Sequence, residues 1–135
     1  KWANADGEAV FRMTVEIPRE WKNKDLLVSL GAIHAFDHTF WNGRQIGHTG
    51  PDTEAAYRQP RRYVVPAADV RSGKNVLAVR VYNDWAAGGF HGNADEMVLR
   101  PVDQDADASP YAPLYHADYR DDFDFGDDPF RFYKW

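Results

Sequence analysis

The stretch between residues 84 and 95 holds the side chains best suited to binding a ligand. Its sequence, DWAAGGFHGNAD, supplies two aromatic rings, an imidazole, a carboxylate and an amide: Trp85, Phe90, His91, Asp84 and Asn93. A sugar site needs an apolar platform with a few placed polar groups, and this stretch offers both. The alternative interpretation is a glycine-rich connection between strands, whose Trp85 covers one end of the fold.

Three further residues outside this stretch are candidates for ligand contact. Tyr57 and Arg58 lie in the long segment HTGPDTEAAYRQP, and Arg58 with Arg61 forms an arginine pair that suits a carboxylate such as that of a uronic or sialic acid. The alternative for these arginines is ordinary solvated charge. Asp37 stands between two histidines in the segment HAFDH, where it either fixes a sugar hydroxyl or makes a local turn.

The run Phe40-Trp41-Asn42-Gly43 predicts a tight hairpin. Asn and Gly both accept the positive φ angles that a two-residue type I′ turn requires. Trp41, just before the turn, is large enough to stack on a pyranose ring, but it can equally pack across the strand pair. Because side chains alternate along a strand, Phe40 and Trp41 should lie on opposite faces.

Catalytic signals are weak. The chain has no Gly-x-Ser-x-Gly motif, and its only serines are Ser29, Ser72 and Ser109. Acidic residues are so common that a pair at glycosidase spacing carries little information. The acidic run 103–107 lacks the glycine and the last acid of an EF-hand loop. We therefore expect no cofactor, with a structural calcium in the acidic loops left open.

Composition excludes some partners and locates an unusual segment. Residues 1–100 hold 13 Lys/Arg and 12 Asp/Glu, whereas residues 101–135 hold 3 and 9. No basic stripe is present to neutralise phosphates, and no apolar run approaches the ~18 residues of a membrane span. We expect neither nucleic acid nor membrane as a partner. The chain has no cysteine, so the fold uses no disulfide. It begins at Lys1 and not at a methionine, which suggests a mature form or an excised domain.

Hydrophobic periodicity predicts an all-β fold. Residues 9–17 alternate apolar and polar side chains, and the same period of two, or an apolar run ended by Gly or Pro, marks further strands. The predicted strands cover residues 9–17, 25–31, 38–42, 44–47, 61–66, 75–83 and 96–101, with one short helical turn within 66–75. Segments 32–38, 48–60 and 84–95 are read as long loops, of which at least two should share one end of an antiparallel β-sandwich.

The last 35 residues form a separate unit of the prediction. Residues 101–135 are acidic and rich in aromatic side chains, with little strand periodicity until the end. That many aromatic residues is unusual for a free tail. We predict a sandwich over residues 1–100 and an extended arm over 101–135, which packs on the sandwich or docks on a catalytic domain or second subunit.

The ordered landmarks of the chain resemble a known family. Residues 10–47 hold VFRMTVEIPREWKNKDLLVSLGAIHAFDHTFWNGRQIG, followed by YVVPAADVRSGKNVLAVRVYN and GGFHGNADEMVL. Over about residues 9–99 this pattern is similar to the sugar-binding domain of glycoside hydrolase family 2, in the version associated with sialate O-acetylesterases. The acidic arm is not part of the pattern.

The resemblance implies a jelly-roll, galactose-binding-like β-sandwich attached to a carbohydrate-active enzyme. In such enzymes the module is usually not the catalytic domain. The leading hypothesis is therefore a non-catalytic carbohydrate-binding module of a glycan-degrading enzyme, bacterial and extracellular or periplasmic. A structural sandwich whose aromatic arm docks a neighbour, and a small hydrolase in its own right, are the alternatives.

Overall fold

The computed structural model describes residues 6–103 in full and, beyond them, the backbone of residues 111–113 and 123–124. Ten strands lie in this part of the chain, with four single-turn 3-10 helices between them. The strands are β1 Gly7–Ile17, β2 Leu26–His34, β3 Phe36–Trp41, β4 Arg44–Thr49, β5 Pro60–Val65, β6 Gly73–Asn83, β7 Gly89–Phe90, β8 Met97–Pro101, β9 Tyr111–Pro113 and β10 Phe123–Asp124.

Two antiparallel sheets make up the fold. The first has the strand order β10-β1-β6-β3-β4, and the second has the order β5-β2-β8-β9, with β7 added to the far end of β2. The predicted all-β class and the β-sandwich architecture are confirmed. Every strand foreseen from hydrophobic periodicity is present, because a sheet with one buried face imposes a period of two on its sequence.

The core lies between the two sheets and follows this alternation. In β1, Phe11, Val15 and Ile17 are buried, whereas the intervening Arg12, Thr14 and Glu16 are exposed. The other sheet contributes side chains that are wholly inaccessible to solvent: Leu26, Val28, Ile33, Val65 and Leu99. Sandwiches of this kind derive most of their stability from the two interdigitating inner faces.

The Asn42-Gly43 turn joins β3 to β4 as predicted. Both residues have positive φ, 48° and 81°. The Asn42 side chain donates to Asn75 Oδ1 at 2.9 Å and accepts from the Val76 N–H at 2.8 Å, so the turn is also tied to β6. Trp41 is fully buried in the core and donates its indole N–H to the Asp69 carbonyl at 3.2 Å. Packing, and not ligand stacking, is therefore the role of this tryptophan.

Residues 32–38 differ from the sequence-based prediction, because they are not a loop. β2 continues to His34, and β3 starts at Phe36, so only Ala35 separates the two strands. The polar residues of this segment, His34, Asp37 and His38, suggested a loop exposed to solvent. All three are buried in this structure. Burial of polar side chains depends on partners that are remote in sequence, which local periodicity does not reveal.

The arm beyond Pro101 is described at two short strands only. The backbone of β9 pairs with β8, and that of β10 pairs with β1, so each sheet gains a strand at an otherwise open edge. The rest of the predicted arm lies outside the described residues. In the part of the chain that is described, no helix is long and apolar enough to cross a membrane.

A close approach between β4 and β5 depends on the absence of a side chain. A Cβ atom added to Gly47 would lie 2.1 Å from Cδ1 of the Tyr63 ring. Tyr63 in turn bonds to Asp37 and Thr49 through its hydroxyl, so its ring is held in place. The glycine is therefore required to let the aromatic ring cross the sheet edge.

We expect Gly47→Ala to lower the free energy of unfolding by about 1–3 kcal/mol, the usual cost of forcing an extra methyl group into a packed site. Urea unfolding of the purified variant measures this difference. Arg62→Ala, at the exposed position next to Tyr63, is the matched control and should change stability by less than about 0.5 kcal/mol. Equal stability of Gly47→Ala and the wild type would contradict the packing described for Tyr63.

Candidate functional site

Four ring systems meet at one end of the sandwich, around His34. The His34 ring centroid lies 4.7 Å from Trp85, 5.5 Å from His91 and 5.8 Å from Tyr57. Tyr57 and Trp85 also contact each other, with centroids 6.0 Å apart in an edge-to-face arrangement. We call Tyr57, Trp85 and His91, with His34 beneath them, the aromatic platform. Trp85 and His91 are both exposed, Trp85 at 55% relative exposure.

Three separate segments build the platform. His34 is the last residue of β2, Tyr57 lies in the 3-10 turn Ala56–Arg58 between β4 and β5, and Trp85 and His91 flank β7 after β6. The expectation that at least two long loops share one end of the sandwich is thus confirmed. Rings from distant parts of the sequence converge because β2 lies beside both β5 and β7.

Trp85 is held from below by a buried amide. Asn83 is fully buried at the end of β6, and its Oδ1 accepts a hydrogen bond from His34 Nδ1 at 3.0 Å. Its Nδ2 donates to the Ala86 carbonyl at 2.9 Å. The same side chain therefore fixes the imidazole of His34 and the chain on the far side of Trp85. Because Ala86 has φ of +58°, a left-handed conformation, this bond supports a bend that is otherwise unfavourable.

The His91 end of the loop is anchored to β2. The His91 N–H donates to the Ala32 carbonyl at 2.8 Å, and Nε2 of its ring donates to the Ala87 carbonyl at 2.9 Å. Gly31 and Gly92 pack backbone against backbone here, since a Cβ on Gly92 would lie 2.8 Å from the Gly31 Cα. The paired glycines bring the loop close to the sheet, which places the exposed His91 ring beside His34.

Arg58 supplies a positive charge at the edge of the platform. Its guanidinium carbon lies 4.9 Å from the Tyr57 ring centroid, and its Nε donates to the Tyr57 hydroxyl at 2.9 Å. The contact combines a cation–π interaction with a hydrogen bond. Among the described residues no carboxylate forms an ion pair with Arg58, which is exposed. Its remaining N–H groups are available to a ligand.

Of the eight residues proposed from sequence, the structure brings four together: Tyr57, Arg58, Trp85 and His91. Asp84 is exposed and directly precedes Trp85, while Asn93 is exposed and starts the turn Ala94–Glu96, with its N–H donating to Glu96 Oε2 at 2.8 Å. Phe90 faces inward instead, packing edge-on against Phe11 with centroids 4.9 Å apart. Phe90 lies in β7 and pairs with Ile33 of β2, and its ring packs at the margin of the core.

Asp37 does not lie on the surface of the platform. Its carboxylate is fully buried and accepts hydrogen bonds from Arg61 Nε at 2.7 Å, from the Thr39 hydroxyl at 2.8 Å and from the Tyr63 hydroxyl at 3.0 Å. Burial raises the pKa of Tyr63, and the negative charge of Asp37 raises it further. In this arrangement Asp37 bonds across the interior, from β3 to β5, and is not positioned to meet a ligand.

Two residues of the site, His34 and Asn83, were not predicted to support it, yet both hold the platform from beneath. A local signal exists for Asn83, since it ends the long alternating strand β6 at a position that should face the core. A buried amide at such a position needs partners, and the loop that follows is the nearest source.

Within the described residues, no group of three or more His, Asp or Glu side chains is placed to hold a metal ion. Most of the acidic run 103–107 lies outside those residues, so the structural calcium left open for the acidic loops stays untested there.

Comparison with known proteins relates this chain to others by fold only. No family model matches it, and no curated protein does. Among solved structures, a β-glucuronidase from glycoside hydrolase family 2 matches 59% of the chain at a TM-score of 0.51 and 20% identity. The β-glucuronidase of Ruminococcus gnavus in complex with uronic isofagomine matches 58% at a TM-score of 0.50 and 20% identity.

These matches cover a small share of much larger proteins. The chain corresponds to 8% of the first enzyme and to 13% of the second. The β-sandwich of this chain is therefore a fold that occurs as one part of glycoside hydrolase family 2 enzymes. At 20% identity the likeness shows the shared fold, and the sugar-binding role and the link to sialate esterases are separate questions.

A second pair of histidines lies on the outer face of the first sheet, near Asp37. His38 in β3 is buried to 7% exposure beside Phe40, and its ring lies 5.5 Å from that of His48 in β4. Burial lowers the pKa of His38 below 6.5, and the nearby charge of His48 lowers it further. The negative charge of Asp37 raises the pKa of His38, while the positive charge of Arg80 lowers it.

We therefore expect His38 to make stability depend on pH. Because its pKa is lower in the folded state than in the unfolded chain, stability is fully present above about pH 6.5 and decreases as the pH falls towards the folded value. Urea unfolding of the wild type and of His38→Gln between about pH 7.5 and 5 measures the difference. The variant should lose less stability over this range. Identical pH profiles would contradict the assignment, and His91→Gln is the matched exposed control.

Proposed function

We propose that this chain is a non-catalytic carbohydrate-binding module that binds sugars on the aromatic platform. The observation that carries the proposal is an exposed tryptophan held in one position: Trp85 is 55% exposed, yet its ring contacts both His34 and Tyr57. An aromatic ring face that is fixed and open to solvent is what a pyranose ring stacks upon, since the C–H groups of the sugar pack against it.

The polar atoms around the platform support a sugar ligand. Asp84 is exposed next to Trp85, and Arg58 is exposed next to Tyr57, so hydrogen-bonding groups flank the rings on two sides. Sugar hydroxyl groups both donate and accept, and a carboxylate with a guanidinium meets both needs. Preorganised loops lower the entropy cost of binding, and here Asn83 and His34 already hold the loop that carries Trp85.

Arg58 favours a ligand that carries a carboxylate. Its guanidinium is fixed on Tyr57 and keeps N–H groups available for bidentate hydrogen bonds to a carboxylate. A uronic or sialic acid stacked on Trp85 would present its acid group at the edge of the ring.

The fold supports an accessory role beside a catalytic domain. The similar β-glucuronidases are much longer than this chain, which corresponds to 13% of one and 8% of another. We accordingly propose that the module belongs to a glycan-degrading enzyme acting in the extracellular or periplasmic space. In that setting it would keep the enzyme near its polymeric substrate.

Replacement of Trp85 tests the proposal. We expect the wild type to bind galactosides, uronides or sialosides in calorimetric titration, and Trp85→Ala to weaken binding at least about tenfold, a loss of roughly 1.4 kcal/mol. Val64→Ala removes another exposed apolar side chain, on the outer face of β5, and should leave the affinity unchanged. Binding that survives in Trp85→Ala, or no binding to any sugar of the panel, would contradict the proposal.

The same titrations examine the part assigned to Arg58. Glucose with glucuronic acid, and galactose with galacturonic acid, are pairs that differ by the carboxylate. Arg58→Gln should weaken binding of the acid of each pair more than binding of the neutral sugar, and so reduce the preference for the acid. If Arg58→Gln does not change that preference, the sugar is recognised without this arginine.

A further inference from the structure

Arg61 uses every hydrogen-bond donor of its guanidinium inside the protein. The residue as a whole is 1% exposed, and an arginine has five N–H donors in a planar fork. Nε donates to Asp37, the two donors of Nη1 reach the carbonyls of Ala56 and Gln59, and those of Nη2 reach the carbonyls of Ile33 and Ala35. The bonds to Ile33 and Ala35 measure 3.0 and 2.9 Å.

The four carbonyls lie next to residues of the candidate site. Ile33 and Ala35 are the neighbours of His34 on either side, Ala56 directly precedes Tyr57, and Gln59 directly follows Arg58. One buried guanidinium thus holds the backbone on both sides of His34 and on both sides of the Tyr57-Arg58 pair. It touches none of the rings, and it bonds both segments from inside the sandwich.

We propose that Arg61 is a positioning residue that sets the geometry of the aromatic platform. This inference rests on the proposed function, since the value of the geometry is a sugar site. Arg61 fixes the Tyr57 segment relative to His34, and Asn83 then connects His34 to the loop that carries Trp85. The three segments of the platform are thereby joined by two buried polar side chains.

Asp37 makes this arrangement possible by supplying the balancing charge. A buried guanidinium without a counter-ion is unfavourable, and both side chains of this pair have no exposed surface. The ion pair uses Nε of Arg61, and the four carbonyl contacts use the Nη1 and Nη2 groups of its planar fork. Lysine carries one nitrogen with three donors, so it can keep the pair with Asp37 but cannot reach all four carbonyls.

Arg61→Lys is the direct test, and Tyr63→Phe is its control. Tyr63→Phe removes the hydroxyl that bonds to Asp37 but no contact to either segment. Affinity for the sugar found with the wild type is measured by calorimetry below the melting temperature of each variant. The environment of Trp85 is measured without ligand, as the fluorescence difference between each variant and its Trp85→Phe counterpart.

Both variants should melt at lower temperature than the wild type. Only Arg61→Lys should weaken sugar binding, by about tenfold, and alter the Trp85 signal, because only it releases the platform backbone. If Arg61→Lys folds and keeps both the affinity and the Trp85 signal, or if Tyr63→Phe shows the same loss, Arg61 has a general stabilising role and the inference is wrong.

The fluorescence readout needs no ligand, so it separates this inference from the proposed function. An altered Trp85 signal in Arg61→Lys supports positioning even if the wild type binds none of the sugars tested. Should Arg61→Lys not fold, nuclear magnetic resonance of the wild type decides the matter. Separate, slowly exchanging Nη resonances of Arg61 are expected for a fork bonded at both nitrogens. Averaged, rapidly exchanging Nη signals would contradict the hydrogen bonds described between Arg61 and the four carbonyls.

Discussion

The buried ion pair between Asp37 and Arg61 is the contact on which both the fold and the candidate site depend. It joins β3 of one sheet to β5 of the other, through a hydrogen bond of 2.7 Å between fully buried side chains. Removing two charges from water is costly, and the mutual attraction offsets that cost only when all remaining donors and acceptors are bonded. Here the Thr39 and Tyr63 hydroxyl groups donate the other hydrogen bonds that the Asp37 carboxylate accepts. Backbone carbonyls accept the remaining hydrogen bonds that the Arg61 guanidinium donates. Such a network specifies one arrangement of the sheets more than it adds to net stability.

The platform is the consequence of that arrangement at the surface. Sandwich folds carry their variable loops at the ends of the strands, where they are free to differ in length and composition. In this chain the loop residues are not free to move independently, because His34 and Asn83 link them to the ends of β2 and β6. An exposed ring such as Trp85 gains binding value from being fixed beforehand, since the ordering cost is met during folding. The two buried polar residues, His34 and Asn83, contribute to this ordering by holding the rings they support.

Local patterns predicted much of this structure. The period of two marked the strands, the Asn42-Gly43 pair marked the hairpin, and the mixture of aromatic and polar residues in 84–95 marked the loop that carries Trp85 and His91. These features depend on side-chain alternation and on backbone φ, which are properties of neighbouring residues. Four of the eight proposed site residues meet at the platform for the same reason: aromatic and charged residues in long loops are seldom needed by the core.

The parts that were not foreseen depend on contacts between distant residues. Arg61 was interpreted either as part of a carboxylate-binding pair or as solvated charge, but it is buried and bonds to Asp37, 24 residues away. Phe90 was taken for a ligand contact, but pairing of β7 with β2 turns its ring towards Phe11. Residues 32–38 looked like a loop because their polar side chains find partners on other strands. No periodic signal in one segment records the presence of a partner in another, so these assignments required the three-dimensional structure.

The central claim is that sugar binds on Trp85, and tryptophan indole resonances test it most directly. The chain has five tryptophans, of which Trp21 and Trp41 are buried in the core and Trp85 is exposed. During titration with the best sugar of the panel, the account predicts a saturable shift of the Trp85 indole N–H signal, with the signals of Trp21 and Trp41 unchanged. A titration in which calorimetry detects binding while the Trp85 signal stays fixed would contradict it.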